Sequence, residues 1–516
     1  MVSFETIAAI VFLLVLTFFL SAKNNKLETK KAMSNFFFSM YRTRLGINLM
    51  DSMANKWRKI TFTVLFLAAL SVFFLMFYFI GGLVFAYFLE GNVLVYALII
   101  AFIGLLVPIF LVIRYGFYNG VLASITASGF MGMILIVFSL VSGLFSVFLK
   151  PESPPPVGIV LPIETSVPGI FGIPFTYWIM SIFVIAFVHE FSHGLIARAH
   201  KIKVKSSGFA FAGVSLRIIS ILIIFFSIFS IMSNSDFNFL NLWLTIGLVL
   251  LAISYIRNLL VPLIPAAFVE PDEKELKKRH YFQQLSVFAA GPFSNIVFAF
   301  IFLAIASLIF SPLALKLIEP NGIIVKEFTR GPNEEKFPLE MSGMNQGEVI
   351  KQIDNVQIVY STNLSQALKS KKPGQTVNVK TDQSSYKIKL AENPENKSSA
   401  YMGAYLEQST SFKESGKAYF TKSILWIGGN PYSLNYIERA GLIGFLIILN
   451  LGIGLFNLIP FGPFDGGRMF QVVIYKYFRK ENAERYLQKI GTVFLFILLV
   501  YIFVIFKNIA LYFLGI

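Results

Sequence analysis

Ten apolar runs, at roughly 6–22, 60–89, 93–113, 120–149, 174–199, 216–233, 243–265, 284–311, 436–460 and 490–512, limit what this chain can fold into. Each is long enough to cross about 30 Å of hydrocarbon. Within a bilayer every backbone polar group must find its partner inside the protein, so such runs become helices. Composition agrees: 56% of the 516 residues are hydrophobic and 14% are charged, where soluble domains are about a quarter charged. The expected fold is therefore a polytopic α-helical membrane protein of about ten spans. The net charge of +16 does not indicate nucleic acid, because Lys and Arg concentrate in short loops between spans, where they hold orientation. The chain has no cysteine, which excludes disulfides and thiolate metal sites. The opening run, Thr6 to Ala22, has no basic lead-in and no small-residue cleavage site, so it reads as a retained first span.

Charge sets the expected topology. Between the first two runs lie Lys23, Lys26, Lys30, Lys31, Arg42, Arg44, Lys56, Arg58 and Lys59 against only Glu28 and Asp51, which places that loop in the cytoplasm and the N-terminus outside. Alternating onward puts Lys150 to Pro156 outside and the loops with Lys201, Lys203 and Lys205 and with Lys274, Lys277, Lys278 and Arg279 inside. The C-terminus then falls outside. One stretch is not membrane-like: from about Glu319 to Gln408, Gly322 to Lys326, Thr376 to Lys380 and Tyr386 to Leu390 alternate as half-buried strands do, and Thr362 to Leu368 reads as a short capped helix. It is expected to be a small α+β domain on the extracytoplasmic side. The domains expected are thus a four-span module over 1–150, a membrane part over 151–311, the insert over 319–408 and a second membrane part over 409–516.

At the end of the fifth run stands His189-Glu190-Phe191-Ser192-His193. Helical residues four apart differ by about 40° around the axis and stand one turn apart, so His189 and His193 can bind one metal ion while Glu190 serves as a base beside it. Two of the four histidines of the chain fall in this spacing. An ionisable Glu in so apolar a helix costs a few kcal/mol to insert, which makes a functional role the default. A metal site needs a third ligand. Asp465 is the best candidate: from Phe456 to Arg468 an apolar helix is broken by Pro460, Pro463, Gly462, Gly466 and Gly467, a break tolerated at membrane depth where it lines a cavity. Taken alone, an Asp there also suits a helix-ending turn.

His-Glu-Phe-Ser-His followed far downstream by Asn457-Leu-Ile-Pro-Phe-Gly-Pro-Phe-Asp465-Gly-Gly resembles the site-2 protease family of intramembrane zinc metalloproteases. Ala289 to Asn295 is similar to that family's Gly-containing segment, and Met341 to Asp354 resembles a PDZ signature, so the insert is expected to be PDZ-like. The resemblance, covering roughly 174–512, implies that His189, His193 and Asp465 bind Zn2+ and that Glu190 is the general base and acid. It places Asn457 where a family Asn steadies the substrate or oxyanion, and offers Asn295 as a possible substrate-binding residue. The partners it implies are transmembrane segments of other proteins, the lipid bilayer and an upstream site-1-type protease. The metal site would lie toward the cytoplasmic side of a cell membrane.

The sequence departs from the family in two ways. An apolar hairpin of about fifty residues separates Lys205 to Ala210 from Ile264 to Glu273, stretches expected to lie close together, and no Gly-Leu-Gly-Phe-like carboxylate loop is found in the insert. Other classes fit less well. A prenyl-processing H-E-x-x-H protease would take a downstream Glu. A non-enzymatic binding or scaffold relative would tolerate loss of Glu190, which is present, and a metal transporter would need polar residues on several spans.

Overall fold

The computed structural model describes residues 9, 11–12, 15–16, 27–33, 36–44, 46–88, 93–149, 157–162, 170–232, 237–256, 260–330, 335–394, 396–413, 418–433 and 435–514. The expected first span and the stretch from Lys150 to Pro156 lie almost wholly outside these residues. The chain divides into two compact units, Met1–Ala299 with Ile448–Ile516, and Phe300–Ile447.

The first unit begins with β1 (Leu27–Met33), β2 (Phe36–Thr43) and a short α1 (Ile47–Asp51), then the long helices α2 (Arg58–Phe88), α3 (Val93–Tyr115) and α4 (Phe117–Leu149). Two short parallel strands, β3 (Ile159–Leu161) and β4 (Ile170–Gly172), lead into α5 (Phe175–Ala199). After it come β5 (Val204–Ser215), the helices α6 (Leu216–Met232) and α7 (Phe237–Ile256), β6 (Leu260–Pro271), α8 (Glu273–Lys278) and α9 (Tyr281–Ile305). Among the described residues seven helices are long and apolar enough to cross a membrane: Arg58–Gly82, Leu94–Tyr115, Phe117–Leu149, Phe175–Ala199, Tyr281–Leu317, Tyr436–Phe456 and Lys480–Leu511. This is an integral membrane protein. The runs at 216–233 and 243–265 give the shorter apolar stretches Leu216–Phe225 and Leu244–Tyr255.

A four-stranded antiparallel sheet, ordered β1-β2-β5-β6, corrects two expectations. The cationic stretch 23–59 is not simply a loop: β2 pairs with β5 from Phe36↔Val214 to Thr43↔Ser207. The tail of the run 243–265 is not helix, because β6 starts at Leu260. Pro262, Pro265 and Pro271 account for this; proline breaks a helix interior but suits an edge strand, and β6 is the last strand of its sheet. The α6–α7 hairpin leaves the sheet at Ser215 and returns at Leu260, and those two residues pair. Beyond it the ladder runs through Ala210↔Ala266 to Val204↔Pro271.

In the second unit α9 continues through Ala306–Phe310 and α10 (Ser311–Leu317) into a six-stranded sheet. Its elements are β7 (Ile318–Phe328), α11 (Pro338–Met341), β8 (Val349–Ile353), β9 (Val356–Gln357), α12 (Ser361–Lys369), β10 (Thr376–Thr381), β11 (Ser385–Lys389) and β14 (Ala404–Phe412), with a small pair β12 (Ala391–Glu392) and β13 (Ala400–Tyr401). The sheet order is β11-β10-β8-β7-β14, with β9 on β8. The alternation read in the sequence is realised: Val377 and Val379 of β10 are buried and their neighbours exposed, and Leu364 and Ala367 of α12 close over Ile323, Val325 and Ile350. Then follow α13 (Ala418–Gly428) and α14 (Tyr436–Phe456), whose last turns belong to the first unit with α15 (Asp465–Tyr477) and α16 (Lys480–Leu514). There α4 is no appendage. Its Leu140 and Val147 pack with Ile459, Phe494 and Tyr501, and the Tyr501 hydroxyl donates to the Leu140 carbonyl.

Candidate metal centre

Helical spacing brings His189 and His193 onto one buried face of α5. Asp465 reaches them from the first turn of α15, after the chain has turned sharply at the end of α14. The turn is drawn tight: Gly466 N–H donates to the Asn457 carbonyl at 2.8 Å, and a Cβ on Gly466 would stand 2.2 Å from the Leu458 carbonyl oxygen. Only glycine fits there, which is why the residue after Asp465 is one.

Three donor atoms converge. His189 Nε2 lies 3.0 Å from Asp465 Oδ2, His193 Nε2 lies 3.3 Å from the same oxygen, and the two Nε2 atoms are 3.1 Å apart. A tetrahedral ion with bonds of about 2.0–2.1 Å separates its ligand atoms by roughly 3.3 Å, so the trio already has the edges of one tetrahedral site. The residues fit a zinc ion with one position left open, a donor set of two imidazoles and a carboxylate. The space in front of the nitrogens is kept clear by Gly291 of α9, where a Cβ would stand 2.4 Å from His193 Nε2 and 2.7 Å from His189 Nε2. His193 is aimed by its other nitrogen, since Nδ1 is 2.7 Å from the Val287 carbonyl, an acceptor that keeps the proton on Nδ1 and frees Nε2. Ser294 Oγ ties α9 to α5 through the Val188 carbonyl at 3.2 Å.

Glu190, next on the helix, faces the edge of the sheet. Its Oε2 accepts the Val269 N–H of β6 at 3.0 Å, and with Met50, Phe187, Phe191, Phe209 and Phe268 it lines an apolar cleft. Asn295 is fully buried, with Nδ2 3.1 Å from His189 Nδ1. Asn457 is half-buried, and its backbone closes the turn that carries Asp465. The sequence reading did not find Val287, Val269 or Met50. Two act through the main chain, which no side-chain pattern betrays. Met50 left a faint trace in Gly194, where a Cβ would meet its sulfur at 2.6 Å.

At the margin of α5, His200 pairs through Nε2 with Ser286 Oγ at 2.7 Å. Burial pushes its pKa down to about 4, and the charges of Arg279 and Arg58 press the same way, so the ring is neutral near pH 7.

An H-E-x-x-H helix whose candidate metal trio is closed by an aspartate from a broken helix, in a chain with membrane-length helices, defines a site of the membrane metallopeptidase type. The chain belongs to peptidase family M50, the site-2 protease family, whose family model matches residues 177–498. Among curated proteins it is similar to "Putative zinc metalloprotease SACOL1281" of Staphylococcus aureus (strain COL), 22% identical over 288 residues, 48% of this chain and 64% of that protein. It is also similar to "Putative zinc metalloprotease SA1105" of Staphylococcus aureus (strain N315), 34% identical over 92 residues, 17% of this chain and 21% of that protein. The chain thus spans less than two thirds of the length of either relative.

Proposed function

We propose that this protein is a zinc endopeptidase that hydrolyses peptide bonds within transmembrane segments of other membrane proteins, in regulated intramembrane proteolysis. The observation that carries the reading is the trio of donor atoms at 3.0–3.3 Å with Glu190 beside it on the same helix. Bound there, zinc supplies Lewis-acid polarisation of a carbonyl and lowers the pKa of a water toward about 7.

The rest falls to the chain. Glu190 takes the proton of the attacking water and delivers it to the leaving amine nitrogen, its carboxylate steadied by the Val269 N–H. A substrate helix keeps its carbonyls hydrogen-bonded and must unwind before attack. β6 is an edge strand, so an unwound segment laid along it would recover backbone hydrogen bonds beside Glu190. Small or helix-breaking substrate residues make that unwinding less costly. Asn457 is proposed to donate to the developing oxyanion.

We assign the insert a PDZ-like role as a steric or peptide filter outside the cytoplasm, with an upstream protease trimming the substrate first. The sheet of Phe300–Ile447 and the charge distribution of the loops support that reading. The test is cleavage of a tagged transmembrane substrate by the purified, detergent-solubilised chain. The native protein should cut, lose activity to a chelator and regain it with zinc, while Glu190→Gln should bind zinc and not cut. Cleavage undiminished in Glu190→Gln or in chelator would sink the proposal.

A further inference from the structure

We infer that Asn295 is the positioning residue of the metal centre, holding His189 in the tautomer and orientation that offer Nε2 to the ion. The inference rests on the reading of His189, His193 and Asp465 as a zinc site and adds a role for a residue that the resemblance left as a possible substrate contact. The geometry is against substrate contact. Asn295 is 0% exposed and packed behind His189, on the side of the ring away from Asp465.

An imidazole that gives Nε2 to a metal carries its one proton on Nδ1, and that N–H needs an acceptor. For His193 the acceptor is the Val287 carbonyl, 2.7 Å from Nδ1. For His189 the neighbour of Nδ1 is the Asn295 amide at 3.1 Å. The same amide holds Oδ1, a buried oxygen without a hydrogen bond among the described residues. A half turn of the amide exchanges its two ends and brings Oδ1 to the Nδ1 proton, so one motion supplies both the acceptor that the ligand needs and the partner that the oxygen lacks. Nearby packing keeps the amide in reach: Gly454 of α14 leaves so little room that a Cβ there would stand 3.0 Å from Asn295 Cβ. Both ligand rings are thus aimed from α9, one by main chain and one by side chain.

The test is the zinc dissociation constant of the detergent-solubilised full chain, by competition with a chromophoric chelator, for native protein, Asn295→Leu and Asn295→Asp. Loss of a metal ligand's orienting partner costs about 10–100-fold in affinity, so Asn295→Leu should weaken zinc binding by that factor. Asn295→Asp, a stronger acceptor of the same shape, should bind zinc at least as tightly as the native chain. A purely packing role predicts the reverse ranking, with the apolar variant tolerated and the buried charge harmful. Native-like zinc binding by Asn295→Leu overturns the inference, and so does tenfold weaker binding by Asn295→Asp, which carries the test by itself should the Leu variant not fold. A native chain that holds no zinc overturns the metal reading and this inference together, whereas native binding with either of those variant results overturns this inference alone.

Discussion

A methyl group at position 291 would stand 2.4 Å from one ligand nitrogen and 2.7 Å from the other, closer than a side-chain carbon can come, so it would displace the rings that are to hold the metal. Gly291→Ala should therefore abolish stoichiometric zinc, read by metal analysis of the purified protein, while the chain still folds. At the cytoplasm-facing end proposed for α5, His200 sets a different expectation. The unfolded ring takes its proton near 6.5 and the folded ring near 4, so as pH falls through that window the unfolded chain binds a proton that the folded chain refuses. Stability is retained above about 6.5 and declines toward 4, and His200→Gln should flatten that part of the melting-temperature profile. At this scale the sequence was informative where chemistry is carried by side chains in rigid spacing: His189, Glu190 and His193 on one helix, and Asp465 marked by its prolines and glycines. It was silent where partners are main-chain atoms, as with Val287 and Val269, because those depend on which strand or helix arrives.

The sheet makes the same point for elements. β1 and β2 lie outside the family-matched residues 177–498, yet β2 pairs with β5 from Ser207 to Val214 and α1 brings Met50 into the cleft beside Glu190. Charge alone made this stretch look like a loop. Two polar clasps hold it: Arg42 bonds Glu270 and, at 2.7 Å, Ser206, while Asp51 pairs with Arg198 of α5. Both are partly exposed, so each should contribute about 1 kcal/mol. Arg42→Ala should lower the melting temperature by a few degrees and reduce cleavage while leaving zinc affinity as it was, since Ser206 and Glu270, which Arg42 bonds, are not metal ligands. A drop in zinc affinity would show that the clasp reaches the metal site. The ladder β5–β6 was foreseeable in part, because Lys205 to Ala210 and Ile264 to Glu273 were expected to meet, but the strand start at Leu260 was hidden by an apolar run that continues past the last helical turn of α7.

For the whole molecule, the insert begins and ends side by side: β7 and β14 are paired, with Ile318 opposite Phe412. Its core is its own, centred on Ile323, Val325, Ile350, Val377 and Val379. At one margin of this core the carboxyl of Glu348 is pressed upward by burial, yet held below its ordinary range by bonds from Thr381, Asn345 and Tyr386. A fragment spanning 317–413 should accordingly fold alone, with a cooperative thermal transition by circular dichroism. A non-cooperative melt would mean that it needs its flanking helices.

The paired residues at the foot of the α6–α7 hairpin have a consequence of another kind. Because Ser215 and Leu260 already face each other across the ladder, the forty-odd residues between them form an excursion that starts and finishes at one point. Its length can change without altering the register at Val269, and hence without moving the amide that holds Glu190. Lineages could lengthen, shorten or exchange this hairpin to suit a bilayer or a neighbour while the reacting groups stay in place, much as a tool keeps its edge when its handle is replaced.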